Sequence, residues 1–213
     1  MEETNLPKVE VKADLTKTIE NAYDDTLKKP LKSSSKVLST VFDFFHNTIL
    51  YPMQKYNLYA ESKLENYSRE LQEKARSIPE ENLVTPRVNI LGPTFDGLKY
   101  NLDEDYVKEM FTNILISDMD KTKRNKVNVA FIYMVNQLNN SDAKLLAQLN
   151  EFKTSQIAII KLNYRKADGG FSYISNDLIA SYNNNFMVLK AVNIENLSRL
   201  KLLDVTFEEY FTN

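Results

Sequence analysis

The sequence predicts a mainly α-helical protein: a helical bundle with one long helix, followed by a small α+β, winged-helix-like C-terminal part. Three observations carry this expectation. Only 4 Gly and 6 Pro occur in 213 residues, too few for a turn-rich β-sandwich. Apolar residues recur at three- and four-residue spacing through most of the chain. Beyond Lys153 the period changes, with a β-branched run and an Asp-Gly-Gly turn. The expected parts are 1–77, an N-terminal helical region that includes the long helix; 78–152, a central helical bundle; and 153–213, the α+β part.

From Val9 to Lys28, Val11, Leu15, Ile19 and Ala22 fall at helical spacing, and Pro30 stops this run or starts the next helix. Ser33, Ser34 and Ser35 offer caps to the run Lys36–Tyr51, where Leu38, Val41, Phe42, Phe45 and Ile49 form one wide stripe that Pro52 ends. Met53–Ser77 follows as the long helix, about 37 Å for roughly 25 residues. Tyr56, Leu64, Tyr67, Leu71 and Ala75 lie on one side of it and charged residues on the other. Pro79 and Pro86 bias Ile78–Pro86 towards a turn and extended linker.

Val88–Tyr100 reads as a short buried helix entered near Pro93, with Gly92 and Gly97 permitting close approach. Asp103, Glu104 and Asp105 favour the start of a helix over Tyr106–Met119, because negative charge complements the N-terminal dipole. Its core face is Val107, Met110, Phe111, Ile114 and Leu115. A basic loop, Asp120–Asn128, leads to a helix over Val129–Leu138 and, after a Ser141-Asp142 cap, to another over Ala143–Phe152. Gln156–Tyr164 and Phe171–Ser175 predict a hairpin, followed by a short helix in Val192–Phe207 and a strand in its LLDVTF portion. The winged-helix reading rests on this order, and it places the chain end at or inside the wing, as in a truncated or minimal domain.

Composition narrows the chemistry. With 43% apolar and 26% charged residues the chain sits in the ordinary globular range. A net charge of −2 and a pI near 5.6 argue against a general nucleic-acid binder. Zero cysteines exclude disulfides, thiolate nucleophiles and Cys-based metal sites, and the single histidine, His46, excludes a clustered-His site. The opening MEETNLPKVEVK lacks a basic region followed by an apolar core, and no run of 18 apolar residues occurs, so a cytoplasmic location is expected.

Few motifs carry chemistry. Asp118-Met119-Asp120-Lys121-Thr122 matches the DxDxT pattern of haloacid-dehalogenase-like phosphatases, in which the first Asp attacks phosphorus and both carboxylates hold magnesium. That chemistry needs the motif after a parallel strand; here a helical stripe precedes it, so a helix end with a polar exit is the preferred reading. His46, on the most apolar run, reads as a packed or surface-satisfied side chain. Lys121, Lys123, Arg124 and Lys126 form the most basic stretch, and Arg199 and Lys201 would add to a nucleic-acid face, although Glu195, Asp204, Glu208 and Glu209 surround them. The Val37–Tyr51 run has three candidate partners: the protein's own core, a second subunit or a membrane surface. Its polar side lacks the Lys and Arg of an interfacial helix, which puts the membrane last. No catalytic residue, cofactor, metal or small-molecule ligand is indicated.

A further set of segments carries a resemblance. Ile78-Pro79-Glu80-Glu81-Asn82-Leu83, the Pro86…Gly92-Pro93 pair and Phe95-Asp96-Gly97-Leu98-Lys99-Tyr100 begin it. Met110-Phe111-Thr112-Asn113-Ile114-Leu115, Val129-Ala130-Phe131-Ile132, the Gln137–Lys144 cap step and NIENLSRLKLLDV continue it. Together they resemble the bacterial abortive-infection alpha family. The chain departs from the family at Asn128-Val129, where a His-Pro pair is the common pattern. The resemblance implies a cytoplasmic bacterial protein that limits phage spread by halting or killing the infected host. The expected function is therefore a non-enzymatic defence component working through a protein partner or self-association, with the turn Pro79–Asn82 and the basic loop Lys121–Lys126 as candidate contacts. Its alternatives are a nucleic-acid-binding regulator and a metal-dependent hydrolase near Asp118 and Asp120.

Overall fold

The structure, a computed structural model, describes residues 58–206 apart from 155, 183 and 184, together with 36, 39–41 and 43. The expected helix over Val9–Lys28, and His46 and most of Lys36–Tyr51, lie outside the described residues. Contacts divide the chain into two compact units, Met1–Asn136 and Gln137–Asn213.

In the first unit α1 spans Leu58–Ala75, 18 residues of the expected long helix. Residues 53–57 lie outside the description. Tyr67, Leu71 and Ala75 are buried, the stripe that the sequence spacing selects. A 3-10 turn over Glu80–Asn82 and the linker beyond it lead to α2, Val88–Leu98. This helix begins at Val88 with Pro93 inside it, so the expected entry near Pro93 is corrected: Arg87, extended at φ −70° and ψ 142°, is the N-cap. α3 runs Asp105–Met119 and buries Val107, Phe111 and Leu115 completely, while Met110 and Ile114 are half-buried at its flanks. α4, Val129–Val135, starts where Asn128 accepts a 2.9 Å bond from the Ala130 N–H. α3 packs against α1, α2 and α4, and α2 packs against α4.

Gly97 shows why α2 approaches so closely. A Cβ there would lie 2.5 Å from Phe111 Cζ and 2.7 Å from Asn136 Oδ1, so only hydrogen fits between the helices. At the α1–α3 contact, the Thr112 hydroxyl donates to Lys108 O at 2.7 Å and lies 3.3 Å from the Tyr67 hydroxyl. Burial pushes the Tyr67 phenol well above its ordinary range, so it stays neutral.

The second unit begins with α5, Asn140–Glu151. Its cap is Asn139, not the expected Ser141-Asp142 step: Asn139 Oδ1 accepts from Asp142 N, and Asp142 reaches back to Asn139 N in a capping box. Five short strands follow: β1 Ala158–Ile160, β2 Asn163–Arg165, β3 Phe171–Tyr173, β4 Leu178–Tyr182 and β5 Asn185–Leu189. β2 and β3 form the expected hairpin, turned by Gly169 at φ 86°. β1, β4 and β5 form an antiparallel sheet in the order β1-β4-β5. Leu178, Ala180 and Leu189 on one face of that sheet are buried.

α6, Ala191–Arg199, ends in a Schellman motif: Leu202 N donates to Leu197 O and Lys201 N to Ser198 O, both at 3.0 Å, with Lys201 left-handed at φ 59°. No strand forms over residues 202–206, so the expected C-terminal strand is corrected for those positions. Its apolar residues extend and terminate a helix end. The architecture is therefore helix-rich with a small C-terminal sheet region, and the order of one helix, five strands and one helix is not clearly that of a winged helix.

Candidate functional site

The DxDxT segment and the basic loop come together at one place in the first unit. Asp118 ends α3, fully buried, and its carboxylate is bound on both oxygens by Arg87. The Arg87 backbone N–H donates to Oδ2 at 2.6 Å, Nε donates to Oδ1 at 2.7 Å, and Nη2 stands 2.6 Å from Oδ1. Arg124 flanks the same carboxylate with Nε 3.9 Å from Oδ1, and that Nε donates to Asp118 O at 2.9 Å. Arg124 also donates to Thr85 O, while Arg87 Nη2 donates to Val127 O at 2.9 Å. One carboxylate and two guanidinium groups thus tie the linker before α2, the end of α3 and the basic loop into a single knot. A fork-shaped donor facing a planar carboxylate gives this knot both strength and a fixed direction.

Asp120 completes the turn. It accepts from the Thr122 hydroxyl at 2.6 Å and the Thr122 N–H at 2.9 Å, and Lys123 Nζ lies 3.2 Å from Oδ2. The Thr122 hydroxyl, followed by its backbone N–H, holds the Asp120 carboxyl below the usual aspartate range. A bridge between Leu83 and Asp120 is framed by Val84 N to Met119 O at 2.9 Å and Lys121 N to Asn82 O at 2.8 Å. The exposed turn at Pro79–Asn82 is consequently anchored to the acidic motif through its last residue.

The chemistry open to this arrangement is limited. Phosphoryl attack needs an exposed first aspartate after a strand; here Asp118 is saturated by arginine at a helix end. No group of three His, Cys, Asp or Glu that could hold a metal occurs among the described residues. Of the candidate cations, Arg124 is committed inward, Lys123 is paired across the turn, and Lys121 and Lys126 are exposed.

In the second unit Arg199 and Lys201 sit at the end of α6. Arg199 Nη1 donates to Gln137 Oε1 at 3.0 Å and Nη2 to Asn196 Oδ1 at 2.8 Å, and Lys201 is exposed in the capping turn. Beneath them the buried Asp142 carboxylate accepts from Asn193 Nδ2 and Asn196 Nδ2, each at 2.7 Å. The capping residues Asn139 and Asp142 and the NIEN run of α6, far apart in sequence, are therefore one hydrogen-bonded clamp. It holds α6 on α5 and aims Arg199 at Gln137.

A feature that the sequence reading missed lies on the three-stranded sheet. The register sets Ile160 beside Ile179 and Val188, and Ala158 beside Ser181 and Phe186. Those six positions share the face opposite the buried Leu178, Ala180 and Leu189. None is charged. Leu162 and Tyr164 continue the alternation of Ala158 and Ile160, and Ile174 N donates to Leu162 O at 3.1 Å, which extends the apolar face along the hairpin. The signal was present as apolar residues on both alternations of QIAII, a pattern usual for a strand covered on both sides.

Most segments behind the family resemblance now have structural roles. Gly97 meets Phe111 between α2 and α3, Asn82–Val84 pairs with the end of α3, Asn128 caps α4, and the Asn139–Asp142 box clamps α6. No curated protein and no solved structure matches the chain. The family model described as abortive infection alpha matches residues 59–213, from the start of α1 to the last residue, and the chain belongs to that family.

Proposed function

We propose that the protein is a non-enzymatic phage-defence component that acts through protein contacts in the bacterial cytoplasm, as the family's abortive-infection description suggests. The observation that supports contact over catalysis is the contrast between two surfaces. The groups with chemical potential, Asp118, Asp120 and Arg124, are spent on holding chain segments together. The sheet of the second unit, by contrast, leaves an uncharged apolar face in solvent, the usual mark of an interaction site. No described helix is long and apolar enough to cross a membrane.

The test is a phage challenge of cells with and without the gene, at low and high phage dose, repeated with Phe186→Lys/Val188→Lys. Protection at low dose with culture collapse at high dose, lost in the double variant, is the expected result. Unchanged plaque counts with the wild-type gene across a broad phage panel would overturn the defence reading. One observation favours the regulator as a second reading: Lys121 and Lys126 remain exposed beside the paired Lys123. A low-salt gel shift abolished by Lys121→Glu/Lys126→Glu would establish that reading in place of the first.

A further inference from the structure

We infer that the partner of the exposed sheet face is a second copy of the same face, the two sheets packing against one another about a twofold axis. The inference rests on the protein-contact reading above and names its partner. Three properties of the face lead to it.

Its extent suits a dimer. Phe186 is 69% exposed, Ile174 63%, Val188 56%, Tyr164 52%, Leu162 46% and Ile160 43%. At roughly 200 Å² for a fully exposed large apolar side chain, these six leave on the order of 650 Å² of surface in water. A monomer's largest apolar patch is typically about 300–600 Å², and a standard interface covers about 800 Å² per partner. The face therefore exceeds what a monomer ordinarily exposes and approaches what one partner contributes.

Its chemistry suits an identical surface. The in-register rows Ile160–Ile179–Val188 and Ala158–Ser181–Phe186 hold no charge, so a charged partner would lose hydration with nothing to replace it. An identical apolar face has no such cost, and a twofold axis supplies the self-complementarity automatically. The nearby cations, Lys161 and Arg165, occupy the other alternation of their strand, so the face lacks the basic border that a lipid surface selects.

Its backbone suits sheet-on-sheet packing. The opposite face already covers the unit's own core through Leu178, Ala180 and Leu189, so a second layer about 10 Å away would give each sheet the two covered faces that its sequence pattern calls for.

The experiment is light scattering of the full chain at about 50 µM, with liposome pelleting in parallel. The wild type is expected at twice the 24.7 kDa chain mass, and Phe186→Lys/Val188→Lys at the single-chain mass with an unchanged circular dichroism spectrum. Should that variant unfold, Tyr164→Glu supplies the same test from the hairpin end of the face. Phe171→Lys is the control: Phe171 pairs with Arg165 on the opposite side of the hairpin, so it should leave the dimer intact. A monomeric wild type, a dimer that survives the charged variants, or vesicle binding in place of dimerisation would each overturn the inference. Phage protection separates it from the reading on which it rests. Loss of protection in the variants of a monomeric protein would leave the contact reading standing without self-pairing, whereas a broken dimer with full protection would remove the contact reading and keep the pairing.

Discussion

Replacing Asp118 by asparagine tests whether the DxDxT segment is scaffold. The carboxylate is fully buried and takes a 2.6 Å bond from the Arg87 N–H on one oxygen and a 2.7 Å bond from Arg87 Nε on the other. Asparagine keeps the shape and removes the charge. Whichever way its amide turns, an NH2 group faces an Arg87 donor, so one charge-assisted bond, worth about 1.5–3 kcal/mol, is lost. Breaking a fully buried ion pair costs about 3–5 kcal/mol, but the Arg87 side chain is 38% exposed and regains hydration, which lowers the expected cost to about 2–3 kcal/mol. At about 2–4 °C per kcal/mol for a chain of this size, the melting point should fall by roughly 4–12 °C. The assay is thermal and urea unfolding followed by circular dichroism, with near-ultraviolet tyrosine signals as second probe because the chain holds no Trp. Arg87→Lys should behave similarly, since an ammonium cannot reproduce the fork. A loss under about 0.5 kcal/mol, or magnesium-dependent phosphate-ester hydrolysis that disappears in Asp118→Asn, would refute the scaffold argument.

Three other outcomes follow from the packing and caps. Gly97→Ala gains about 1 kcal/mol of helix propensity but forces a Cβ to 2.5 Å from Phe111 Cζ. Overpacking of about 1–3 kcal/mol should win, and Phe111→Leu should recover part of the loss in urea titrations. Lys201→Gly and Lys153→Gly replace left-handed residues at φ 59° and 52° after α6 and α5. Each should raise stability by about 0.5–1 kcal/mol, and a lower melting point would contradict the capping geometry. Asp177 is held below its usual pKa, first by the Ala191 backbone N–H at 2.9 Å and then by Lys190. A depressed carboxylate stabilises the fold above its unfolded pKa of about 3.9 and loses that contribution as pH falls through the lower folded value. Asp177→Asn should therefore flatten the stability profile below about pH 4, and an identical acid limb would refute the linkage.

The sequence by itself determined the helices and their inner faces. Val107, Phe111 and Leu115 recur at helical spacing and are all fully buried, and Gly97 marked a close approach before its neighbour was known. Local chemistry also foretold the Asp-Gly-Gly hairpin turn and the acidic start of α3. Partners distant in sequence were illegible. Nothing in Arg87 announces Asp118, 31 residues away, and nothing in Asn193 announces Asp142, 51 residues away, because periodicity reports which way a side chain faces and not what it meets. The basic loop was read as a solvated or phosphate-binding stretch, yet Arg124 turns inward, since a buried carboxylate attracts a guanidinium more strongly than solvent retains it in this geometry. The apolar sheet face lay beyond sequence for the same reason: QIAII is apolar on both sides of its strand, and only the tertiary structure decided that one side is core while the other is left for a partner.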